Sequence, residues 1–349
     1  MPILKFLSLP FALIYWVITS IRNFLYHVGI FKSQRFPFPI ICIGNLTVGG
    51  TGKTPHTEYL ISLLKDDYKV ATLSRGYGRQ TKGFKIATAE DTAKTIGDEP
   101  FQMFSKFKRL IVSVDEKRVR GIENLLKQEK SPEVIIMDDA FQHRKVKADL
   151  NILLSEYEKP YFKDYIMPLG RLREARLGAQ RADIIIISKC PRNLTPLEMR
   201  SFTADLNLKP YQKVFYSYVS YSALKPLNEI AKQKKLDYSG LKNLDVCLTT
   251  AIANPKPLKE FISEKNHQVD FLKYPDHYYF RKKDYELISK KFTNLTKEKV
   301  LLVTEKDATK LDLAKLEKFP IYAIPIEIKF HPTTNNNIDE EILNYVRSY

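Results

Sequence analysis

The sequence contains little cysteine and no long tract of biased composition. Its three cysteines, Cys42, Cys190 and Cys247, lie far apart, which argues against a disulfide framework and against a thiolate metal site. There is no internal repeat, and 44% hydrophobic and 28% charged residues are ordinary values for a globular protein. The 349 residues are enough for about two domains, and a reducing, cytoplasmic setting fits best.

Acidic residues are in deficit, since 40 Asp and Glu stand against 56 Lys and Arg, a formal net charge of +16. This excess favours an anionic partner such as a nucleic acid, an anionic membrane surface or a phosphorylated substrate. No RNA- or DNA-binding motif is present, and the lysines are scattered through residues 225–320 instead of forming one stripe. The charge by itself therefore does not select a partner.

The chain lacks an apolar run as long as a membrane-spanning helix, which needs about 20 residues. Residues 6–21 carry no charge, but the stretch is short and contains Pro10. A signal peptide is less suitable, because no small-x-small cleavage site follows. We interpret the stretch as an interfacial segment, with Trp16 at headgroup depth and Arg22 on anionic lipid; a helix packed on the protein's own core is the alternative.

A strand, a glycine-rich loop and a helix are predicted in succession over residues 40–64. Glycines let consecutive backbone N–H groups turn toward one anion, at the positive end of the helix. Lys53 is then expected to reach the β- and γ-phosphates of a nucleotide, and the Thr54 hydroxyl to bind Mg²⁺. The predicted nucleotide-binding residues are Thr47, Val48, Gly49, Gly50, Thr51, Gly52, Lys53 and Thr54.

One position departs from the usual phosphate-loop pattern G-x-x-x-x-G-K-[ST], because Thr47 stands where the first glycine is expected. A glycine turn that only links a strand to a helix is therefore the alternative. The order of strand, loop, Lys-Thr pair and helix favours a nucleotide-phosphate site.

Apolar strands alternate with helical stretches through the rest of the chain. This alternation predicts an α/β fold with a parallel sheet covered on both faces, whose ligands sit at the carboxyl ends of the strands. Residues 214–221 have the pattern of an exposed strand or hairpin arm, and we place a domain junction there. The predicted organisation is an amino-terminal segment 1–30, a phosphate-loop domain 31–215, a β linker 216–225 and a smaller α/β domain 226–349.

Two groups of charged residues are candidates for binding phosphate and Mg²⁺. Asp138 and Asp139 follow an apolar run, at the place where a phosphate-loop protein brings a carboxylate to Mg²⁺, directly or through water. Which of the two contacts the metal stays open. Between two predicted strands, Arg171 and Arg173 suit anionic oxygens and Glu174 suits a Mg²⁺ shell. A solvated charged helix face is the alternative for this segment.

Two more residues are candidates for proton transfer. Asp98, in the segment Gly-Asp-Glu-Pro before a helix predicted from Phe101, is either a general base or a helix cap. His277 is a residue type suited to proton movement near neutral pH, although an isolated histidine is usually structural. The segment 304–308 ends a strand and is either a cleft element or a plain cap.

Taken together, these motifs resemble the tetraacyldisaccharide 4′-kinase family of lipid A biosynthesis. The family's loop also has a small hydroxyl residue where this chain has Thr47, whereas Ala251 departs from the glycine expected there. The resemblance covers roughly residues 35 to 310, and its blocks are, in order, 44–55, 74–78, 97–100, 138–143, 170–174, 252–255, 275–277 and 304–308.

The resemblance implies ATP- and Mg²⁺-dependent phosphorylation of the 4′-hydroxyl of a tetraacylated glucosamine disaccharide 1-phosphate. It implies a peripheral or monotopic protein on the cytoplasmic face of the bacterial inner membrane, bound to anionic lipid. By motif, Asp98 looks like the catalytic base, paired with His277, and Lys53 looks like the phosphate ligand. Thr54, Asp138, Asp139 and Glu174 look like the Mg²⁺ and phosphate set, and Arg173 and Arg118 look like the transition-state or substrate arginines.

Two other functions compete with this interpretation. A membrane-associated phosphate-loop ATPase, acting as a switch or positioning protein, would share the loop and the acidic strand end. A nucleic-acid-stimulated ATPase is suggested only by the net charge. Neither explains the motifs after residue 160, so we expect no nucleic-acid partner and no obligate protein partner.

Overall fold

The computed structural model describes residues 2–266, 268–276, 278–294, 298–333 and 337–349, with side chains described from residue 8 onward. The chain forms two compact units. The first unit comprises the chain through Asp91 together with Met103–Val219 and Ile328–Tyr349, and the second comprises Thr92–Gln102 and Ser220–Glu327.

The helices and strands follow one another along the chain as the hydrophobic pattern predicts. The helices are α1 (Pro2–His27), α2 (Lys53–Leu64), α3 (Ala93–Ile96), α4 (Asp98–Lys106), α5 (Arg118–Leu126), α6 (Pro196–Asp205), α7 (Glu229–Lys234), α8 (Lys256–Lys265), α9 (Lys282–Asn294), α10 (Glu305–Ala308) and α11 (Ile338–Arg347). The strands are β1 (Ile40–Asn45), β2 (Val70–Ser74), β3 (Lys85–Ile86), β4 (Ile111–Val114), β5 (Val134–Asp138), β6 (Leu150–Glu156), β7 (Ile184–Ser188), β8 (Lys213–Tyr221), β9 (Lys225–Pro226), β10 (Asp245–Thr250), β11 (Val269–Lys273), β12 (Lys299–Thr304), β13 (Ile321–Ile324) and β14 (Ile326–Phe330).

The main sheet has the strand order β14-β8-β7-β6-β1-β5-β2-β4-β3. Strand β1 lies in its interior and pairs in parallel with β5 and β6, while β3 pairs antiparallel with β4. Strands β1, β5 and β7 are buried along their whole length, as continuous apolar runs in a two-sided sheet require. The predicted parallel α/β sheet is confirmed.

Alternate residues of β1 pack against helices on opposite faces of this sheet. Ile41 and Ile43 share a core cluster with residues of α2 and α11, whereas Ile40 and Cys42 share one with residues of α5. Because successive strand residues point to opposite faces, β1 serves both layers at once. The carboxyl end of β1 is therefore firmly placed, and the phosphate loop starts from it.

Two boundaries of the first unit differ from the predicted organisation. Helix α11 packs into the same core as α2, so residues 328–349 belong to the first unit and not to the second. Strand β8 pairs in parallel with β7, and its residues Phe215, Tyr216 and Ser217 are buried. The first half of this strand is thus an interior strand of the sheet and not an exposed arm.

The second unit is built on a smaller sheet with the order β11-β10-β12-β13-β9. Its pairs are parallel except for β13 with β9. Helix α8 packs on one face through Leu258 and Ile262, and α9 packs on the other through Tyr285, Ile288 and Phe292. The predicted smaller α/β domain is confirmed in its fold class.

Helix α1 is longer than the apolar stretch predicted from the sequence, since it continues through Pro10 to His27. By length and composition alone, residues Ser8–His27 are sufficient to cross a membrane. Of its described residues only Ala12 is fully buried. The helix is therefore not packed inside the protein's own core; its exposed apolar side chains include Leu9, Phe11, Leu13, Ile14, Trp16, Val17, Ile18, Ile21 and Phe24.

Candidate active site

The phosphate loop, residues 46–52, connects the end of β1 to the start of α2. Gly49 and Gly52 have φ angles of 107° and 88°, in the left-handed region that favours glycine. Gly52 directly precedes Lys53, the first residue of α2. The loop thus ends at the positive end of a helix, the geometry expected for binding a phosphate.

Side chains from outside the loop hold three successive backbone carbonyls of it. Ser188 Oγ donates to the Thr51 carbonyl at 2.8 Å, Lys189 Nζ donates to the Gly50 carbonyl, and His56 Nδ1 lies 2.7 Å from the Gly52 carbonyl. Each peptide unit is planar and its N–H points away from its C=O, so these contacts turn the N–H groups of Gly52 and Lys53 toward the opposite side. We call Ser188, Lys189 and His56 the carbonyl clamp.

The protonation state of His56 follows from its two partners. The Gly52 carbonyl only accepts, so Nδ1 carries the proton and Nε2 accepts from Ser217 Oγ at 2.8 Å. Burial lowers the pKa of His56 to about 4, although the hydrogen bond to Gly52 acts in the opposite direction. This imidazole is therefore neutral at physiological pH.

Acidification is expected to destabilise the protein through His56. Its pKa is 6.5 in the unfolded chain and about 4 in the folded protein, so the unfolded state binds more protons between these values and stability falls as pH falls. The full loss is on the order of 3 kcal/mol, because one pKa unit is worth about 1.4 kcal/mol. Urea unfolding across this pH window measures it.

A His56→Gln variant provides the control for this pH effect, because the amide can donate to the Gly52 carbonyl but does not titrate. Its free energy of unfolding is expected to depend less steeply on pH than that of the wild type. Equal slopes in the two proteins would contradict the assignment of the effect to His56. Burial, and after it the charge of Arg118, also lowers the pKa of His143 to about 4. His143 is present in both proteins, so its contribution is common to the two slopes.

The two carboxylates at the end of β5 have different surroundings. Asp138 is buried and accepts a hydrogen bond from Thr57 Oγ1 of α2 at 3.1 Å. Asp139 has a φ of 46°, an uncommon value for a non-glycine residue, and its side chain is 41% exposed. Asp138 is thus held inside the protein, whereas the carboxylate of Asp139 is partly open to solvent.

Lys53 and Arg173 converge on Asp139. Arg173 Nη2 lies 2.9 Å from Asp139 Oδ1, and Lys53 Nζ lies 3.8 Å from the same oxygen. Burial by itself would raise the pKa of Asp139, but Lys53 and Arg173, together with Arg118, outweigh it and hold the pKa below its ordinary value. Two cations and one carboxylate thus stand beside the phosphate loop.

Residues 171–174, which we call the arginine loop, lie along the phosphate loop. Leu172 forms an isolated bridge with Thr47, and the backbone N–H groups of Val48 and Arg173 donate to the carbonyls of Arg171 and Leu46, each at 2.7 Å. The segment is not a solvated helix face. Arg171 pairs with Glu156 and Asp164.

Glu174 is buried, and both of its carboxylate oxygens accept hydrogen bonds. Oε1 accepts from Gln142 and from Arg181, each at 2.9 Å, and Oε2 accepts from Asn23 of α1 at 2.6 Å. Its role as a Mg²⁺ ligand stays a prediction. Nothing in the sequence pattern indicated Asn23, which joins α1 directly to this site.

Arg118 is the first residue of α5 and is buried. Burial lowers its pKa to about 10, partly offset by Asp138 and Asp139, which favour the charged form. The guanidinium stays charged at physiological pH and acts electrostatically on the acidic pair. Its role toward a substrate stays a prediction.

Phe141 lies so close to β1 that a side chain larger than that of glycine does not fit at position 44. A methyl group at this position would lie 2.7 Å from Cβ of Phe141 and 3.0 Å from its backbone nitrogen. A Gly44→Ala substitution is therefore expected to lower the free energy of unfolding by about 1–3 kcal/mol, measured by urea denaturation. Gly50→Ala is the control, because no atom of the described residues lies within 4 Å of the added methyl group; equal losses in the two variants would contradict the steric explanation.

In the second unit, Asp98 begins α4 and lies in a polar cluster of its own. It accepts a hydrogen bond from the Tyr279 hydroxyl at 2.7 Å and pairs with Lys310 Nζ at 2.5 Å. Burial, together with the bond to Asp98, raises the pKa of Tyr279 to about 12, so the phenol stays protonated as a donor. His277 lies outside the described residues, and its pairing with Asp98 stays a prediction.

The segment 304–308 is a cap in the structure. Asp307 is buried and accepts from the Thr250 hydroxyl, the Ala251 backbone N–H and the Thr304 hydroxyl, at 2.9, 3.0 and 2.6 Å. It thereby ties the end of β10 to the end of β12, next to the position where Ala251 departs from the family pattern. Lys310, two residues beyond this motif, was not indicated by the sequence pattern.

Known proteins similar to this chain cover almost its whole length. The family model described as tetraacyldisaccharide-1-P 4′-kinase, LpxK, matches residues 4–345. A tetraacyldisaccharide 4′-kinase of Bacteroides thetaiotaomicron is 44% identical, over 97% of this chain and 92% of that protein. Another of that name, from Flavobacterium johnsoniae, is 42% identical over 99% and 98%.

One solved structure is similar over the whole fold. It is LpxK from Aquifex aeolicus, determined in complex with ATP, with a TM-score of 0.73 and 29% sequence identity over 99% of this chain and 98% of that one. The family model and the curated relatives agree with the motifs found in the sequence, and the resemblance predicted from them is confirmed. The chain belongs to the tetraacyldisaccharide 4′-kinase family.

Proposed function

We propose that this protein is an ATP-dependent lipid kinase that phosphorylates the 4′-hydroxyl of a tetraacylated glucosamine disaccharide 1-phosphate, a late step in lipid A biosynthesis. The observation that carries the proposal is the convergence of Lys53 and Arg173 on Asp139 beside the phosphate loop. The kinase names of the relatives and the ATP in the Aquifex aeolicus structure support it.

Transfer of a phosphoryl group depends mainly on positioning and on neutralising charge. The phosphate loop binds the nucleotide phosphates through backbone N–H groups that the carbonyl clamp orients. Lys53 and Arg173 oppose the negative charge that spreads over the transferred group. Asp139 keeps both cations in place before the nucleotide binds, since it already pairs with each of them.

The donors beside the phosphate loop fit Mg²⁺. The Thr54 hydroxyl at the start of α2 and the buried carboxylate of Asp138 are hard oxygen donors of the kind this ion prefers. Within the described residues no group of three or more His, Cys, Asp or Glu side chains gathers as a metal cluster, so the remaining ligands would come from phosphates and water. Bound there, the ion supplies further neutralisation of the phosphates.

We assign Asp98 as the base that accepts the proton of the acceptor hydroxyl. As the 4′-oxygen forms its bond to the γ-phosphorus, the bond from that phosphorus to the leaving ADP oxygen breaks, and the hydroxyl proton passes to the carboxylate. Lys310 and Tyr279 support the ionised carboxylate by an ion pair and a hydrogen bond. His277 is proposed as the partner of Asp98 in this proton transfer.

The amino-terminal helix supports an interfacial location. One face of α1, with Tyr15, Arg22 and Asn23, contacts the rest of the first unit, and the remaining faces expose large apolar side chains. A helix held along the protein in this way suits a monotopic position, with its apolar faces in the bilayer boundary. The net charge of +16 favours anionic lipid, and we propose the cytoplasmic face of the bacterial inner membrane.

Transfer of radiolabelled γ-phosphate from ATP to a tetraacyl disaccharide 1-phosphate in mixed micelles tests the proposal. We expect the label in a bis-phosphorylated lipid, and only when the lipid, ATP and Mg²⁺ are all present. Release of free phosphate without labelled lipid would overturn the kinase and favour the ATPase alternative.

A further inference from the structure

We propose that Asn23 and Tyr15 of α1 are positioning residues for phosphoryl transfer, so that the membrane-seated helix holds the arginine loop in its working geometry. This inference rests on the proposed function and extends it from membrane binding to control of the site.

These two contacts are polar and specific. Asn23 Nδ2 donates to Glu174 Oε2 at 2.6 Å, and the Tyr15 hydroxyl donates to the Arg173 carbonyl at 2.9 Å. Both side chains are half-buried, and they lie on the single face of α1 that is turned toward the protein. The other faces expose apolar side chains, so contact with lipid and contact with the site are made by different residues of one helix.

The arginine loop links these contacts to the nucleotide site. Arg173 donates its backbone N–H to the Leu46 carbonyl at 2.7 Å, and its guanidinium donates to the Asn45 carbonyl at 2.8 Å and pairs with Asp139. A displacement of residues 173–174 therefore moves the cation that opposes phosphate charge and also disturbs the first residues of the phosphate loop. A misplacement of about 1 Å in such a site can lower the rate about a hundredfold.

Two further contacts give α1 a fixed position on this site. Arg22 Nη2 donates to the Gln142 carbonyl at 2.9 Å, and Arg144 Nη1 donates to the Asn23 carbonyl at 2.6 Å. Gln142 itself donates to both Asn45 and Glu174, each at 2.9 Å. The polar face of α1 is thus part of one hydrogen-bond network with the end of β1.

The test uses the full-length protein with three variants: Asn23→Leu removes the donor with little change in volume, Asn23→Gln keeps an amide donor, and Ile18→Ser alters an exposed apolar residue. We expect Asn23→Leu to lower kcat about tenfold, with vesicle binding and the KM for lipid little changed, and Asn23→Gln to regain part of kcat. Ile18→Ser is expected to weaken binding to phosphatidylglycerol-containing vesicles and to raise the KM for lipid.

Hydrogen exchange supplies a second measurement that needs neither lipid nor turnover. In Asn23→Leu the backbone amides of the arginine loop should exchange faster than in the wild type, whereas in Ile18→Ser they should not. Unchanged kcat and unchanged exchange in Asn23→Leu, or a kcat that falls only in proportion to vesicle binding, would overturn the inference. Absence of lipid phosphorylation by the wild type would overturn the proposed function, while the exchange experiment would still decide the role of Asn23.

Discussion

Replacement of Lys53 by methionine is expected to lower kcat/KM for phosphoryl transfer by about a thousandfold. Methionine is unbranched and nearly as long as lysine, but it lacks the charge that opposes the phosphates. In the wild type, Lys53 Nζ lies 3.8 Å from Asp139. In the variant, Arg173 remains as the partner of Asp139. Steady-state kinetics with the lipid acceptor measure the effect.

Lys65→Met is the matched control, since Lys65 follows the last residue of the same helix and pairs with Asp66 instead. Its kcat/KM is expected to equal that of the wild type. Thermal unfolding of both variants separates loss of activity from loss of folding. A Lys53→Met protein that is folded and transfers phosphate at the wild-type rate would contradict the assignment of Lys53 to the phosphates.

Replacement of Asp98 by asparagine is expected to lower kcat by about two to four orders of magnitude, the usual contribution of a positioned proton acceptor. Asparagine has nearly the same shape and can accept a hydrogen bond from Tyr279, but it is a far weaker base than a carboxylate. The KM for ATP is expected to change little, because the nucleotide phosphates are assigned to the phosphate loop. Initial rates at varied ATP and lipid concentrations test both statements.

A second variant separates the chemical role of Asp98 from its structural one. The side chain of Lys310 is fully buried, so Asp98→Asn leaves a buried ammonium without its carboxylate, a change that costs about 3–5 kcal/mol of stability. The double variant Asp98→Asn with Lys310→Met removes both charges and should regain stability in urea unfolding while kcat stays low. Recovery of kcat together with stability would show that Asp98 has a structural role only.

Local sequence patterns were enough to predict the elements around the phosphate loop. The apolar run before Asn45 and the Gly-Lys-Thr-Pro segment predicted β1, the loop and α2, because strand and helix formation there depends on neighbouring residues. The ordered motifs predicted the family, which the comparisons confirm. Local patterns predicted the boundaries between the two units less well. Helix α11 joins the first unit through contacts with residues almost three hundred positions away in the sequence.

The supporting residues of the site were not predictable in the same way. Ser188 ends β7, which is a plain apolar run in the sequence, and Lys189 follows it. Both residues reach the phosphate loop because β7 lies two positions from β1 in the sheet. No sequence motif distinguishes His56, whose role depends on Gly52 and Ser217 on either side of its ring. Each of these contacts joins segments that are distant in the sequence, and a single sequence does not show which distant segments are in contact.

The sequence by itself determined that this chain is an α/β protein with a phosphate loop, a paired carboxylate strand end and an apolar amino-terminal helix. Those features follow from hydrophobic periodicity and from backbone rules that act over a few residues. Only the tertiary structure decided that Lys53 and Arg173 meet on Asp139, that Lys310 neutralises Asp98, and that Asn23 holds Glu174. These pairs are set by strand order and helix packing, because charged and polar side chains find their partners only after the core has placed the backbone.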